Sequence, residues 1–407
     1  MSQNMTVGQV AKKFNVSKET IRRWDNDGKI NSERDPRNNY RKYTNEIFDQ
    51  LDFPFEASQK IDHKPLRKYN SIELFAGAGG LALGLHNAKI EHVLLNEFDK
   101  TACETLKVNM PKWNVVCGDV ADIDFKEHRG KVDILTGGFP CQAFSYAGKS
   151  LGFEDTRGTL FFEFARAIKE VKPTIAMGEN VKGLLTHDNG KTLQTMKNVL
   201  QELGYVVLKP KVLKAIFHKV PQKRERLILI AVKKEFADKV QFKWPNPCEK
   251  IYTMKDALMA GKLFKTDVPK SDGQKYPVRK KQIMQMVPAG GYWRDLPIEV
   301  QKEYMKGSFY LGGGKTGMAR RIGWDEPCLT LTCAPAQKQT ERCHPVETRP
   351  LTVREYARVQ TFPDTWKFAG SLTAKYKQIG NAVPVNLAHE LGKSLVDLLN
   401  QVEKLKK

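Results

Sequence analysis

The stretch Ser71-Ile72-Glu73-Leu74-Phe75-Ala76-Gly77-Ala78-Gly79-Gly80 decides the fold of this chain. Ser71–Phe75 reads as a strand. Behind it comes a glycine-rich turn that opens a helix, where missing side chains let backbone approach a ligand closely. Working outward, Val93–Asn96, Val115–Cys117, Val132–Leu135, Thr174–Met177 and Leu227–Val232 also read as strands, with helical stretches between them. Strands alternating with helices predict an α/β fold on a mostly parallel, doubly wound sheet.

The turn alone is shared by nucleotide folds of many kinds, and a tight strand-to-helix connection with no ligand looks the same. Glu97 adds to it, standing near the ~20-residue offset at which a strand-end carboxylate meets ribose hydroxyls. Asp119 follows the next strand. Two carboxylates at successive strand ends suit a nucleoside with a ribose and an exocyclic amine, whereas a pyrophosphate gains nothing from them. The residues favour S-adenosyl-L-methionine over a dinucleotide, with Phe98 or Phe75 stacking on the adenine.

A chain of 407 residues exceeds one typical domain, so two or three units are expected. Its 67 Lys plus Arg against 46 Asp plus Glu leave a formal charge of +21, which favours a polyanionic partner. Nucleic acid comes first, although ribosomal and anionic-membrane proteins carry similar charge. The cysteines number seven, show no paired short spacing, and follow no N-terminal signal pattern, which points to a reducing, cytoplasmic setting. No apolar run approaches the ~20 residues that cross a bilayer, so no membrane partner is expected.

Residues 52–69, with Pro54 and Pro65, read as a linker, and 70–245 as the sheet domain. From 246 to 346 the alternation fails, giving way to Gly, Pro, Lys and short β-like pieces such as Cys328–Cys333: a second, smaller mixed domain. Helical patterns at Thr352–Gln360 and from Val385 onward predict that 347–407 return to the first domain. Cys328, Cys333, Cys343 and His344 do not have zinc-site spacing, and no metal is expected.

The N-terminal segment reads as two short helices over residues 6–28, with Val7, Val10, Ala11, Phe14, Ile21 and Trp24 inward. Asn15-Val16 forms the turn and Ser17 caps the second helix. Lys18, Glu19, Thr20, Arg22 and Arg23 face outward, and Asn38–Tyr43 forms a basic wing. Such faces lie in major grooves and contact phosphates. A basic helical pair packed on a neighbour would read alike. The segment resembles the winged helix-turn-helix of MerR-type regulators, which implies a DNA-binding unit over residues 1–51, with Arg22 and Arg23 on the DNA.

Gly138-Phe139-Pro140-Cys141-Gln142 resembles the nucleophile motif of cytosine carbon-5 DNA methyltransferases. Glu179-Asn180-Val181 stands where that family keeps its catalytic glutamate, and Gln222-Lys223-Arg224-Glu225-Arg226 matches its arginine motif. Arg349-Pro350-Leu351-Thr352 to Arg358 and Gly380-Asn381-Ala382-Val383 match its two late motifs. In order, these cover about residues 71–390 apart from most of 246–346.

The resemblance implies transfer of a methyl group from S-adenosylmethionine to carbon 5 of a flipped cytosine in duplex DNA. The chain would be a monomer and the modification enzyme of a restriction-modification system, and residues 1–50 would bind an operator as an autoregulator. Carbon 5 is a poor nucleophile, so a thiolate must first add to carbon 6, and Cys141 suits this. Glu179 would meet charge at ring nitrogen 3, Asn180 would fix its neighbourhood, and Arg226 with Arg224 would hold the base oxygen. The donor would lie on Phe75, Ala76, Gly77, Ala78, Gly79, Gly80, Glu97, Phe98, Asp119, Val120, Pro140, Asn381, Ala382 and Val383. Gln142 and Ser145 of a closing loop, with Thr330 and Leu331, would contact DNA. Region 246–346 would be the target-recognition domain, with Lys315, Arg320, Arg321, Gln337, Lys338 and Gln339 offered for base or phosphate contacts. Two departures from the family are Ala147, where a hydroxyl residue is usual, and His218-Lys219, in place of Tyr-Gly. A transfer-RNA methyltransferase is the nearest enzyme rival, though those relatives carry a much shorter recognition region. A regulator using the remainder as a scaffold is the rival of another class.

Overall fold

A computed structural model describes residues 5–14, 18–26, 30–36, 38–44, 59–139, 160–248, 250–312 and 315–406. The expected turn Asn15-Val16, the Ser17 cap, Pro140, Cys141, Gln142, Ser145 and Ala147 lie outside them.

An eight-stranded sheet organises residues 69–233. Tyr69–Leu74 lies between Ile90–Glu97 and Ile134–Gly137, parallel to both. Val115–Cys117 continues the parallel array on one side and Ile175–Asn180 on the other. Glu225–Lys233 then runs antiparallel to Ile175–Asn180, and pairs with Lys211–Lys214 and Tyr205–Val207. Strand order thus reverses between Tyr69–Leu74 and Ile134–Gly137, the crevice where open α/β sheets bind ligands. The glycine-rich turn follows one of these strands and the Gly138-Phe139 segment the other.

Each predicted strand is present within a few residues. The central ones are covered on both faces, and buried apolar residues such as Ile72, Leu74, Ile134, Leu135, Ile175 and Met177 dominate them. On one face the helix Val385–Leu405 packs on Gly80–Asn87. Their contact needs a small residue: a Cβ on Gly84 would stand 2.3 Å from the Ala388 Cβ and 2.7 Å from the Val385 carbonyl oxygen. Val385, Leu391, Leu395 and Leu399 of the Val385–Leu405 helix are buried.

Of the expected linker 52–69, residues 52–58 lie outside the described residues. Residues 59–68 are laid along the Val385–Leu405 helix, where the Asn400 amide donates to the carbonyls of Asp62 and Lys64 at 3.0 and 2.9 Å and accepts from the Leu66 N–H at 3.1 Å.

Region 246–346 is less β-like than its sequence suggests. It holds short helices at Met254–Leu258, Val278–Gln285 and Ile298–Met305. Among the described residues its one strand, Cys328–Leu329, pairs with Gln222–Lys223. The β run cannot extend to Cys333 because side chains take its backbone: Gln222 Oε1 accepts from the Leu331 N–H at 2.9 Å, and the Tyr356 hydroxyl donates to the Thr332 carbonyl at 2.9 Å. Met254, Leu258, Ile322, Cys328 and Leu331 share a core with Tyr356 and Trp366, whereas Tyr276, Met284, Trp293, Met305 and Met318 form a second one. The separate packing unit is thus shorter than the stretch of altered composition.

The N-terminal helices span Val7–Phe14 and Lys18–Asn26. Arg41–Tyr43 is the middle strand of a small antiparallel sheet with Met5–Thr6 and Glu33–Arg34, so the wing is the turn before it. Its core of Met5, Val10, Ala11, Ile21, Ile30 and Tyr43 contains no residue from the sheet domain. Lys18, Glu19 and Arg22 are exposed, as expected, and Trp24 packs against this core. No helix among the described residues is long and apolar enough to cross a membrane.

Candidate active site

A cavity of about 1120 Å³ opens at the crevice between the two central strands. One end is walled by Phe75–Ala78, Glu97–Lys100 and Gly118. The other is walled by Gly138, Glu179, Arg224 and Arg226, and segments 330–333 and 380–383 close the side.

Backbone sets the first end. Phe75 and Gly77 both adopt positive φ, at 60° and 56°, folding the chain back over the strand end. Glu97 holds that fold: its carboxylate accepts from the Gly77 N–H at 2.7 Å and the Asp99 N–H at 2.8 Å. A Cβ on Gly80 would stand 2.2 Å from the Val383 carbonyl oxygen, so the late Gly380–Val383 segment sits directly on the turn. Of the two candidate stacking rings, Phe75 packs against the core while Phe98 is 74% exposed at the cavity edge. The Asp119 carboxylate caps its own turn, accepting from the Ala121 N–H at 3.0 Å, and Val120 is buried; neither borders the cavity. These residues fit a nucleoside with a cationic tail: an open ring, a carboxylate with spare lone pairs, and close backbone.

At the chemical end Glu179 and Arg226 meet across adjacent antiparallel strands, Oε1 to Nε at 2.6 Å. Burial pushes the Glu179 carboxyl above its ordinary range, while Arg226 and Arg224 pull it down. Asn180 donates to the Phe139 carbonyl at 2.8 Å and accepts from the Val181 N–H at 2.8 Å. It therefore pins the chain two residues before Cys141, which itself lies outside the described residues.

Arg224 behaves differently from Arg226. It is buried between the chain after Cys328–Leu329 and the end of the helix Leu372–Asn381, donating to the carbonyls of Leu331 at 3.2 Å and Gly380 at 2.9 Å. Burial depresses this guanidinium to about 9, which leaves it cationic at neutral pH. Its bonds join the 330–333 segment to the 380–383 segment. Gln222 and Gln360 reinforce that joint, amide to amide at 2.9 Å, with Gln360 also donating to the Ile379 carbonyl at 2.8 Å. Of the other arginine-motif neighbours, Thr330 donates its hydroxyl to the Lys223 carbonyl and lines the cavity, as does Leu331.

Sequence reasoning missed Glu73, inside the decisive stretch. It borders the cavity, is buried, and its Oε2 finds no hydrogen-bond partner among the described residues. Burial drives its carboxyl up to about 8, with Glu179 adding to the rise. The signal was a lone acid between Ile72 and Leu74 on a central strand.

Several cations offered for DNA are spent internally. Arg321 is buried and donates to the carbonyls of Met284, Val287 and His344, and Arg320 pairs with Glu326. Lys315 and Lys338 donate to main-chain carbonyls, whereas Gln337 and Gln339 are exposed. Lys219, where the family has glycine, takes φ of 57°, a conformation suited to glycine.

A family model described as C-5 cytosine-specific DNA methylase matches residues 69–397, and one described as MerR family regulatory protein matches residues 6–43. The chain is 62% identical to the type II methyltransferase M.Eco47II of Escherichia coli, covering 99% of this chain and 98% of that protein. It is 58% identical to the type II methyltransferase M.PspPI of Psychrobacter sp. (strain TA137), covering 97% and 96%. A solved prophage-encoded protein of Escherichia coli superimposes with TM-score 0.57 at 25% identity, covering 82% of this chain and 99% of that one.

Proposed function

We propose, on the premise that this chain belongs to the C-5 cytosine-specific DNA methylase family and is a type II DNA cytosine methyltransferase acting on double-stranded DNA, how its own residues carry out that reaction. The carrying observation is the Glu179–Arg226 pair on the cavity wall, beside an Asn180 that holds the Phe139 carbonyl.

The target carbon is inaccessible in stacked duplex, so the cytosine flips into the cavity. Cys141, delivered by the chain that Asn180 pins, adds as thiolate to carbon 6. Charge moves toward ring nitrogen 3, where Glu179 donates a proton; burial of this carboxyl favours the protonated form that the step needs. Arg226 stabilises the glutamate once it has given up its proton and holds the base oxygen, and Arg224 acts by holding the cavity wall. S-adenosylmethionine supplies an electrophilic methyl group for carbon 5 when bound by Glu97, Phe98, the Gly77 turn and Asn381. Loss of the carbon-5 proton then expels Cys141.

The protein works as a cytoplasmic monomer, the modification partner of a restriction endonuclease. Its N-terminal unit binds operator DNA and adjusts expression of the operon. Bisulfite sequencing of DNA from cells expressing the chain tests the reaction and reveals its site, and Cys141→Ser removes methylation. Turnover of that variant near the parental rate would unseat the nucleophile. If deleting residues 1–55 left promoter binding and operon expression unchanged, the regulatory role would be lost. Methyl incorporation into tRNA in preference to duplex DNA would favour the rival substrate.

A further inference from the structure

Three aromatic side chains are exposed among the described residues: Tyr40 at 72%, Phe98 at 74% and Tyr310 at 79%. Phe98 borders the cavity, and Tyr40 sits in the wing turn of the N-terminal unit, so each adjoins a ligand surface already argued. Tyr310 adjoins neither. It lies in region 246–346 with Leu311 next to it, itself 66% exposed.

The turn carrying this pair is held from beneath. Phe309 packs edge-on against Trp293 with ring centroids 6.0 Å apart, and Trp293 is buried. Lys315 donates from Nζ to the carbonyls of Ser308 and Leu311, closing the turn on itself. Tyr310 and Leu311 are therefore presented outward from a fixed base. Arg294, whose guanidinium lies over the Trp293 ring at 5.3 Å, is exposed, and so is Lys306, which opens the short helical turn Lys306–Tyr310. An exposed ring on a turn whose first residue and whose supporting tryptophan carry exposed cations suits a polyanion that carries bases better than an apolar protein groove.

The turn is also tied to the cavity. The Trp293 N–H donates to the Met318 carbonyl at 3.1 Å, the Glu341 N–H to the neighbouring Gly317 carbonyl at 2.9 Å, and Arg342 to the carbonyl of Thr330, which lines the cavity. Meanwhile the obvious cationic readers, Arg320 and Arg321, are engaged internally.

Resting on the reading of the chain as a DNA cytosine methyltransferase, we propose that Tyr310 and Leu311 are specificity-determining residues that touch base edges of duplex DNA beside the flipped cytosine. Leu311 and the Tyr310 ring supply apolar contact of the kind a thymine methyl group accepts, and the phenol hydroxyl can bond an adjacent base edge. Contacts of this type discriminate sequence, whereas cations such as Lys306 and Arg294 add affinity irrespective of sequence.

The test uses the full chain and the site found by bisulfite sequencing. Tyr310→Ala, Leu311→Ala and Tyr310→Phe are compared by kcat/KM on the recognised duplex and on duplexes with each single base pair changed. Loss of a base contact lowers the preference for at least one position by about tenfold in an alanine variant, while the methyl-donor KM and the urea midpoint stay at parental values. Tyr310→Phe separates ring from hydroxyl. Unchanged preference at every position overturns the proposal, and so does an equal loss of kcat/KM on all duplexes, which marks a backbone contact. A parental protein that methylates no duplex brings down the underlying reading instead.

Discussion

Glu73→Gln offers the sharpest test of the cavity's electrostatics. In the folded chain the Glu73 carboxyl is buried and raised from its ordinary 4.5 to about 8. Below pH 4.5 both folded and unfolded chains keep the proton, and burial adds no pH-dependent cost. Between 4.5 and 8 the unfolded chain ionises while the folded one does not, so the folded state binds more protons and stability falls as pH rises. Above 8 both are ionised and the cost levels off. At about 1.36 kcal/mol per pH unit the interval amounts to about 5 kcal/mol in full and about 3 kcal/mol at pH 7. Glutamine keeps the shape and cannot ionise. Urea denaturation of parent and variant should therefore show a stability difference that grows in the variant's favour from pH 5 to pH 8 by several kcal/mol. A difference independent of pH would refute the reasoning, because it would mean that Glu73 is ionised throughout or that water reaches it.

Three further outcomes are expected. Glu179→Gln should lower kcat by about 100-fold or more, and should remove the alkaline fall in rate that the parent shows as pH rises through the elevated Glu179 pKa; a retained alkaline limb assigns it to another group. Lys219→Gly should raise stability by about 0.5–1 kcal/mol in urea titration, since the residue stands at φ 57° and its half-exposed side chain reaches Glu390 only at 3.7 Å. Gly80→Ala should destabilise the fold and weaken donor binding together, measured by denaturation and calorimetry, because the new methyl meets the Val383 carbonyl at 2.2 Å with no flexible side chain to yield.

Much of the fold was legible because its signals are local. Ser71–Gly80 announces a strand, a turn and a helix from adjacent residues, and Val115–Cys117 was placed to the residue. The motifs around Glu179, Arg226 and Asn381 were equally plain, since each is contiguous. What the chain does across distance was not. Arg224 and Arg226 read as one basic pair, yet the strand breaks at Arg224, whose N–H turns back to the Gln222 carbonyl at 3.0 Å, so the two guanidiniums enter different surroundings. Arg321 was offered for DNA contact and Arg358 closed a late motif, yet both are buried because carbonyls distant in sequence converge on them.

The sequence by itself determined the alternation of strands and helices, the kind of chemistry, and the residue types that perform it, because side-chain pattern and contiguous motif are properties of neighbours along the chain. Tertiary structure alone decided that the strand order reverses at the Tyr69–Leu74 and Ile134–Gly137 pair, which brings the Gly77 turn and the Phe139 segment to one crevice. It also decided the state of Glu73: a carboxylate is acidic or neutral according to how much water and charge surround it, and that is set by which strands and helices cover it.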